Sequence, residues 1–226
     1  GGEGWIYSFT PEGELLWKFD CNPKDAEYEL QGKGTRNDFI ATPVVYKDRV
    51  YIAVGQDPEH EKGVGHLYCI DMTKGKNGAD VSPELVVDNT VWPPKTKPNP
   101  NSAQVWHYGG FVANAEERKR IGRNYYFGRT MSTCAILYVA ELVGFLHCLD
   151  ANTGKVHWIH DCEAATWSSP YWADNKVYMG TDNEQLLVFA HGKEKKLLAT
   201  NEMGGRVRAT PVAVGETLYV LTENKL

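Results

Sequence analysis

Short runs in which apolar and polar residues alternate recur along the whole chain, and they come in pairs joined by turn-forming residues. In residues 144–158 one alternating run ends at Asp150, the chain turns through Asn152, Thr153 and Gly154, and a second run carries Trp158. A period of two over five or six residues, bounded by Asp, Asn and Gly, predicts a β-hairpin. The same pattern is found in residues 5–19, with its turn at Pro11, Glu12 and Gly13, and in residues 66–75. A weaker copy spans 186–192.

A second kind of strand pair precedes these hairpins, in residues 41–55, 168–181 and 209–222, with turns at Lys47-Asp48, Asp174-Asn175 and Gly215-Glu216. Residues 132–141 form a degenerate version that has lost its turn. Pro43, Cys134, Pro170 and Pro211 mark successive units at spacings of 91, 36 and 41 residues. The unit is therefore about forty residues with four short antiparallel strands, which is the signature of a propeller blade. No such blade can bury both of its faces alone.

The turns explain the choice of residues. Gly13, Gly75, Gly154 and Gly192 fall where a positive φ is expected, a conformation that costs a β-branched residue. Asp150 and Asn152 can accept hydrogen bonds from the amides of their own turn. Trp17 and Trp158, a few residues into the fourth strand, are expected to lie across the turn glycine of an adjacent blade and rivet the two together.

The run L-D-A-N-T-G-K-V-H-W at residues 149–158 resembles the tryptophan-docking motif of the pyrroloquinoline quinone (PQQ) repeat family, the quinoprotein-type β-propellers. The resemblance covers residues 5–19, 39–88 and 129–226. It implies an all-β protein, a β-propeller of four-stranded antiparallel blades: a partial blade at 1–20, blades at 39–88, 129–162 and 167–201, and a partial blade at 206–226. The sixteen expected strands are four blades' worth. They either close into a small ring or form an arc of a larger propeller, and the arc is preferred because Gly1-Gly2 and Lys225-Leu226 look like boundaries inside a longer gene rather than finished termini. The family contains PQQ-dependent dehydrogenases and non-catalytic scaffolds such as the lipoprotein of the outer-membrane barrel-assembly machinery, and fold does not choose between them. Likeness to the scaffold members implies a place in the periplasm or cell envelope.

Composition removes some alternatives. A net charge of -5 argues against nucleic acid as a partner, since that binding relies on basic surfaces. No apolar run approaches the roughly 20 residues of a transmembrane segment. The five cysteines include no C-x-x-C and no zinc spacing; Cys69 and Cys148 occupy equivalent strand positions and read as small buried residues, and only Cys21 and Cys162 leave a disulfide open. The vicinal cysteine pair that the resemblance would place against a quinone is missing.

Residues 89–127 are expected to be an insertion between blades. Within it Trp106, His107 and Tyr108 form an aromatic-polar cluster that no repeat register demands, so they either pin the insertion to the propeller or bind a ligand near the channel mouth. Arg129, Arg206 and Arg208 sit at or just before innermost strands and could receive an anion, or pair with nearby acids. Trp167 could stack on a planar ligand or fill the space between blades. The donor-rich loop 56–61 raises a weak divalent-metal reading without the cadence of a calcium loop. No catalytic set is assembled. Two classes follow: a binding or scaffold propeller that presents its channel rim and insertion to a protein, glycan or small ligand with no cofactor, or a fragment of a dehydrogenase requiring PQQ and calcium.

Overall fold

The computed structural model describes residues 3–29, 34–39, 41–55, 65–110 and 138–225, and the backbone of 132–135. Every regular element among them is a strand. They divide into two compact units, one from residues up to 110 and the other from residue 132 onward.

In the first unit, β1 (Trp5–Phe9) and β2 (Leu15–Asp20) form an antiparallel hairpin. Next come β3 (Val44–Tyr46), β4 (Arg49–Val54) and β5 (His66–Asp71), followed by two-residue β6 (Ala79–Asp80). The hairpin of β7 (Glu84–Asp88) and β8 (Lys95–Pro98) leads to β9 (Gln104–Gly109). Strands β3, β4, β5 and β9 make one four-stranded antiparallel blade in that order. Alternation sets its core: Trp17, Phe19 and Cys21 from the β2 side meet Val50, Ile52 and Val54 of β4 and Tyr68 and Ile70 of β5. A period of two puts each of these trios on one sheet face.

From sequence the second blade ends at residue 88 and 89–127 is an insertion. The structure corrects both. Glu84–Asp88 leaves the blade, pairs only with β8, and exposes Val86 and Val87. The fourth strand is β9, so the added segment lies inside the blade, between its third and fourth strands. The physical reason is that Trp106 stands opposite Cys69, the place Trp158 holds opposite Cys148 and Trp17 opposite Ser8. Leu85, Val86 and Val87 imitate a strand's composition but have no such partner. The rest of the expected insertion, 111–127, lies outside the described residues.

The added segment also covers an edge. β6 runs parallel to β2, pairing Ala79 with Trp17 and Asp80 with Lys18. The Gly78 amide donates to Leu16 O (3.0 Å) and the Val81 amide to Lys18 O (2.9 Å). An otherwise open strand edge is thereby capped.

The second unit holds two blades and a strand pair. β10 (Ser132–Ala135), β11 (Tyr138–Glu141), β12 (Phe145–Leu149) and β13 (Val156–Asp161) form one blade. β14 (Tyr171–Ala173), β15 (Lys176–Gly180), β16 (Gln185–Ala190) and β17 (Leu197–Glu202) form the other. β18 (Val212–Val214) and β19 (Thr217–Tyr219) pair beyond them. Tyr138, Leu146, Cys148 and Trp158 pack against Val177, Met179, Leu187 and Phe189.

All four hairpins between third and fourth strands carry a β-bulge at one repeat position, after Ser8, Cys69, Cys148 and Val188. The bulge inserts Leu16, Val105, His157 and Leu198 and increases local twist. Two tryptophans bridge to the turn of the following blade. The Trp17 indole N–H donates to Met72 O (3.2 Å), and that of Trp158 to Gly192 O (3.1 Å). Gly13 (φ 91°), Gly154 (φ 70°) and Gly192 (φ 151°) take the expected left-handed conformation. Gly75 does not; it is glycine because a Cβ there would lie 2.3 Å from Trp17 Cβ. Cys21, Cys69, Cys148 and Cys162 are free and buried, so no Cys21–Cys162 disulfide forms.

Candidate functional site

The residues singled out from sequence separate into two places. Trp106, His107 and Tyr108 are consecutive on β9, opposite Cys69, Tyr68 and Leu67. Trp106 is 8% exposed and its ring lies 5.9 Å from that of Tyr51, so its surface is spent on packing. His107 points to the other face, where it meets His66, with Nε2 2.8 Å from His66 Nδ1. Burial, and then the neighbouring His107, push His66 down to about 4, and burial lowers His107. Both rings are therefore biased toward the neutral form.

Trp167, Arg206 and Arg208 lie in the second unit. The chain ahead of β14 runs beside the β15–β16 turn, where the Asp182 amide donates to Ala165 O (2.9 Å); the chain ahead of β18 does likewise, with the Val207 amide donating to Thr181 O (3.1 Å). Three non-adjacent segments thus bring Trp167, Asp182 and Arg208 together. The Arg208 guanidinium donates from Nε (2.8 Å) and Nη2 (2.7 Å) to the two oxygens of Asp182, a planar fork on a planar acceptor. It also lies 5.5 Å from the Trp167 ring centroid, a cation–π contact.

Asp182 is held below the usual carboxylate range, first by the Arg208 hydrogen bonds and then by the Arg208 and Arg206 charges and the Trp167 side chain. Trp167 is 38% exposed and Arg208 is also exposed, so an aromatic face and a cation are presented to solvent in a fixed geometry. Asp182 was not legible as a site residue, because it comes from the turn of the preceding hairpin. Its one signal is its place in T-D-N-E-Q, an acid in a turn that the repeat lays beside Arg208. Arg129 and the loop 56–61 lie outside the described residues. Among the described residues no group of three or more His, Cys, Asp or Glu side chains is arranged to hold a metal ion. Among the described residues no helix is long and apolar enough to cross a membrane.

Four-stranded antiparallel blades, a bulge at one repeat position and a fourth-strand tryptophan on the next blade's turn define a β-propeller of PQQ-like repeats. The sequence profile of the family described as outer membrane protein assembly factor BamB matches residues 99–226, and the chain belongs to that family. The crystal structure of BamB from Moraxella catarrhalis aligns over 97% of this chain and 49% of that one, at 12% identity and a TM-score of 0.54. The chain spans about half the length of that structure. A europium-containing methanol dehydrogenase aligns over 81% of this chain and 26% of its own, at 15% identity and a TM-score of 0.37. The quinohemoprotein alcohol dehydrogenase from Comamonas testosteroni aligns over 88% and 23%, at 13% identity and a TM-score of 0.41. No curated protein matches the chain.

Proposed function

We propose that this chain is a non-catalytic scaffold propeller that acts in outer-membrane protein assembly in the cell envelope, and that it binds a protein partner through the rim around Trp167 and Arg208. Membership of a family named for that process supports the role. The observation that carries the surface is the Trp167–Arg208–Asp182 cluster. Tryptophan and arginine dominate interface hot spots, and here both are exposed while the guanidinium is already held in place, which lowers the entropy cost of binding. Arg206 adds positive charge beside them.

The test is the affinity of the chain for the purified outer-membrane assembly complex, measured by surface plasmon resonance. Trp167→Ala with Arg208→Ala is expected to weaken it by about tenfold or more. Unchanged affinity in that variant would dismiss the rim, and no affinity in the parent chain would dismiss the partner. Dye-linked alcohol or sugar oxidation on adding PQQ and calcium would instead place the chain among the dehydrogenases.

A further inference from the structure

In each blade the first residue of the third strand lies diagonally across from one fourth-strand residue. The four pairs are Trp5 with Lys18, His66 with His107, Phe145 with Ile159, and Gln185 with Thr200. The first is a cation–π contact, with Lys18 Nζ 5.1 Å from the Trp5 centroid. The third is apolar and the fourth polar, so the fold itself does not require an imidazole at either position. The second blade has two.

His66 Nδ1 and His107 Nε2 face one another at 2.8 Å, with ring centroids 5.0 Å apart. Tyr68 packs beside both rings, at 6.1 Å from His66 and 4.7 Å from His107, and fixes their planes. His66 is buried at 8% exposure, and His107 keeps an open side to solvent. Gly110 brackets the pair; a Cβ there would sit 3.5 Å from His66 Cε1 and 3.8 Å from His107 Cε1.

We propose that His66 and His107 form a two-imidazole binding site for a borderline divalent transition-metal ion, copper(II) most tightly and zinc(II) after it, with water in the remaining positions. Imidazole suits these ions, and their order of affinity is general. Two nitrogens bound to one metal at about 2.0–2.1 Å stand about 2.8–3.4 Å apart for square-planar to tetrahedral angles, so to bind one the pair opens by up to about half an ångström and the rings turn until the lone pairs now aimed along the N···N line converge on the ion. In the hydrogen-bonded pair one nitrogen donates and the other accepts. The accepting ring already carries its proton on its far nitrogen, so moving only the donor's proton to its own far nitrogen, His66 Nε2 or His107 Nδ1, frees both lone pairs without releasing a proton.

The chain, freed of metal by chelation, is titrated with copper(II) at pH 7.5 and followed by calorimetry and electron paramagnetic resonance. One equivalent is expected to bind with two imidazole nitrogens coupled to the copper, and His107→Ala is expected to weaken that equivalent at least tenfold. A His107→Ala chain that binds as tightly as the parent, or a parent spectrum with fewer than two coupled nitrogens, would overturn the site. Should His107→Ala fail to fold, zinc titration of the 15N-histidine-labelled parent decides: shifts at His66 Nδ1 and His107 Nε2 support the site and their absence overturns it.

Discussion

The first unit's four-stranded blade and the second unit's blade of β14–β17 solve one problem with different lengths of chain. In the latter, residues 191–196 join third strand to fourth; in the former, residues 72–103 do so and build a strap and a hairpin on the way. Both fourth strands nonetheless arrive in equivalent register, bulge included: Cys69 opposes Trp106 as Val188 opposes Ala199. Strand faces and the bulge set the register, because a slip of one residue would turn every core side chain to the wrong face. The entropy of closing a longer loop rises only slowly with its length, so the connection is free to grow.

The most severe way to break this equivalence is to remove a docking tryptophan. Trp17→Ala and Trp158→Ala should each cost about 3–5 kcal/mol, measured by urea unfolding, although one docks on the long connection and the other on the short one. A cost confined to one unit would mean that the two docks are not equivalent. Gly75→Val comes next: it drives a side chain into Trp17 and should cost about 1–3 kcal/mol.

Replacing residues 84–98 with a short Gly-Ser link, while keeping β6 and Val81, should change stability by less than about 1 kcal/mol, because Val86, Val87, Val91 and Trp92 are already exposed. A loss above about 2 kcal/mol would make the projecting hairpin part of the core. The smallest effect concerns Asp182. Its folded pKa is depressed, so its contribution to stability is present above the unfolded value and is lost as pH falls through the lower folded value. Thermal melts of the parent should therefore fall more than those of Asp182→Asn below about pH 4, and parallel curves would show that the Arg208 pair adds nothing.

The hairpins and the tryptophan docks were legible in the chain because each rests on residues close in sequence or repeated at a fixed spacing. β9 was not. Its partner β5 lies across the strap, and residues 84–88 offer a more strand-like composition in the expected place. Only aligning Cys69–Trp106 with Cys148–Trp158 separates the two, since it asks which segment supplies the opposed tryptophan. For the candidate site, Trp167 and Arg208 were visible one by one. Their meeting at Asp182 was not, because three segments from different hairpins supply it. The His66–His107 pair was hidden for the same reason: a diagonal contact depends on the register of β9.

Hydrogen exchange of the indole N–H groups tests the repeat account most directly, since it reads the docks themselves. The signals of Trp17 and Trp158, bonded to Met72 O and Gly192 O, should persist in D2O long after that of the exposed Trp92 has gone. Loss of the Trp17 and Trp158 signals as fast as that of Trp92 would contradict it.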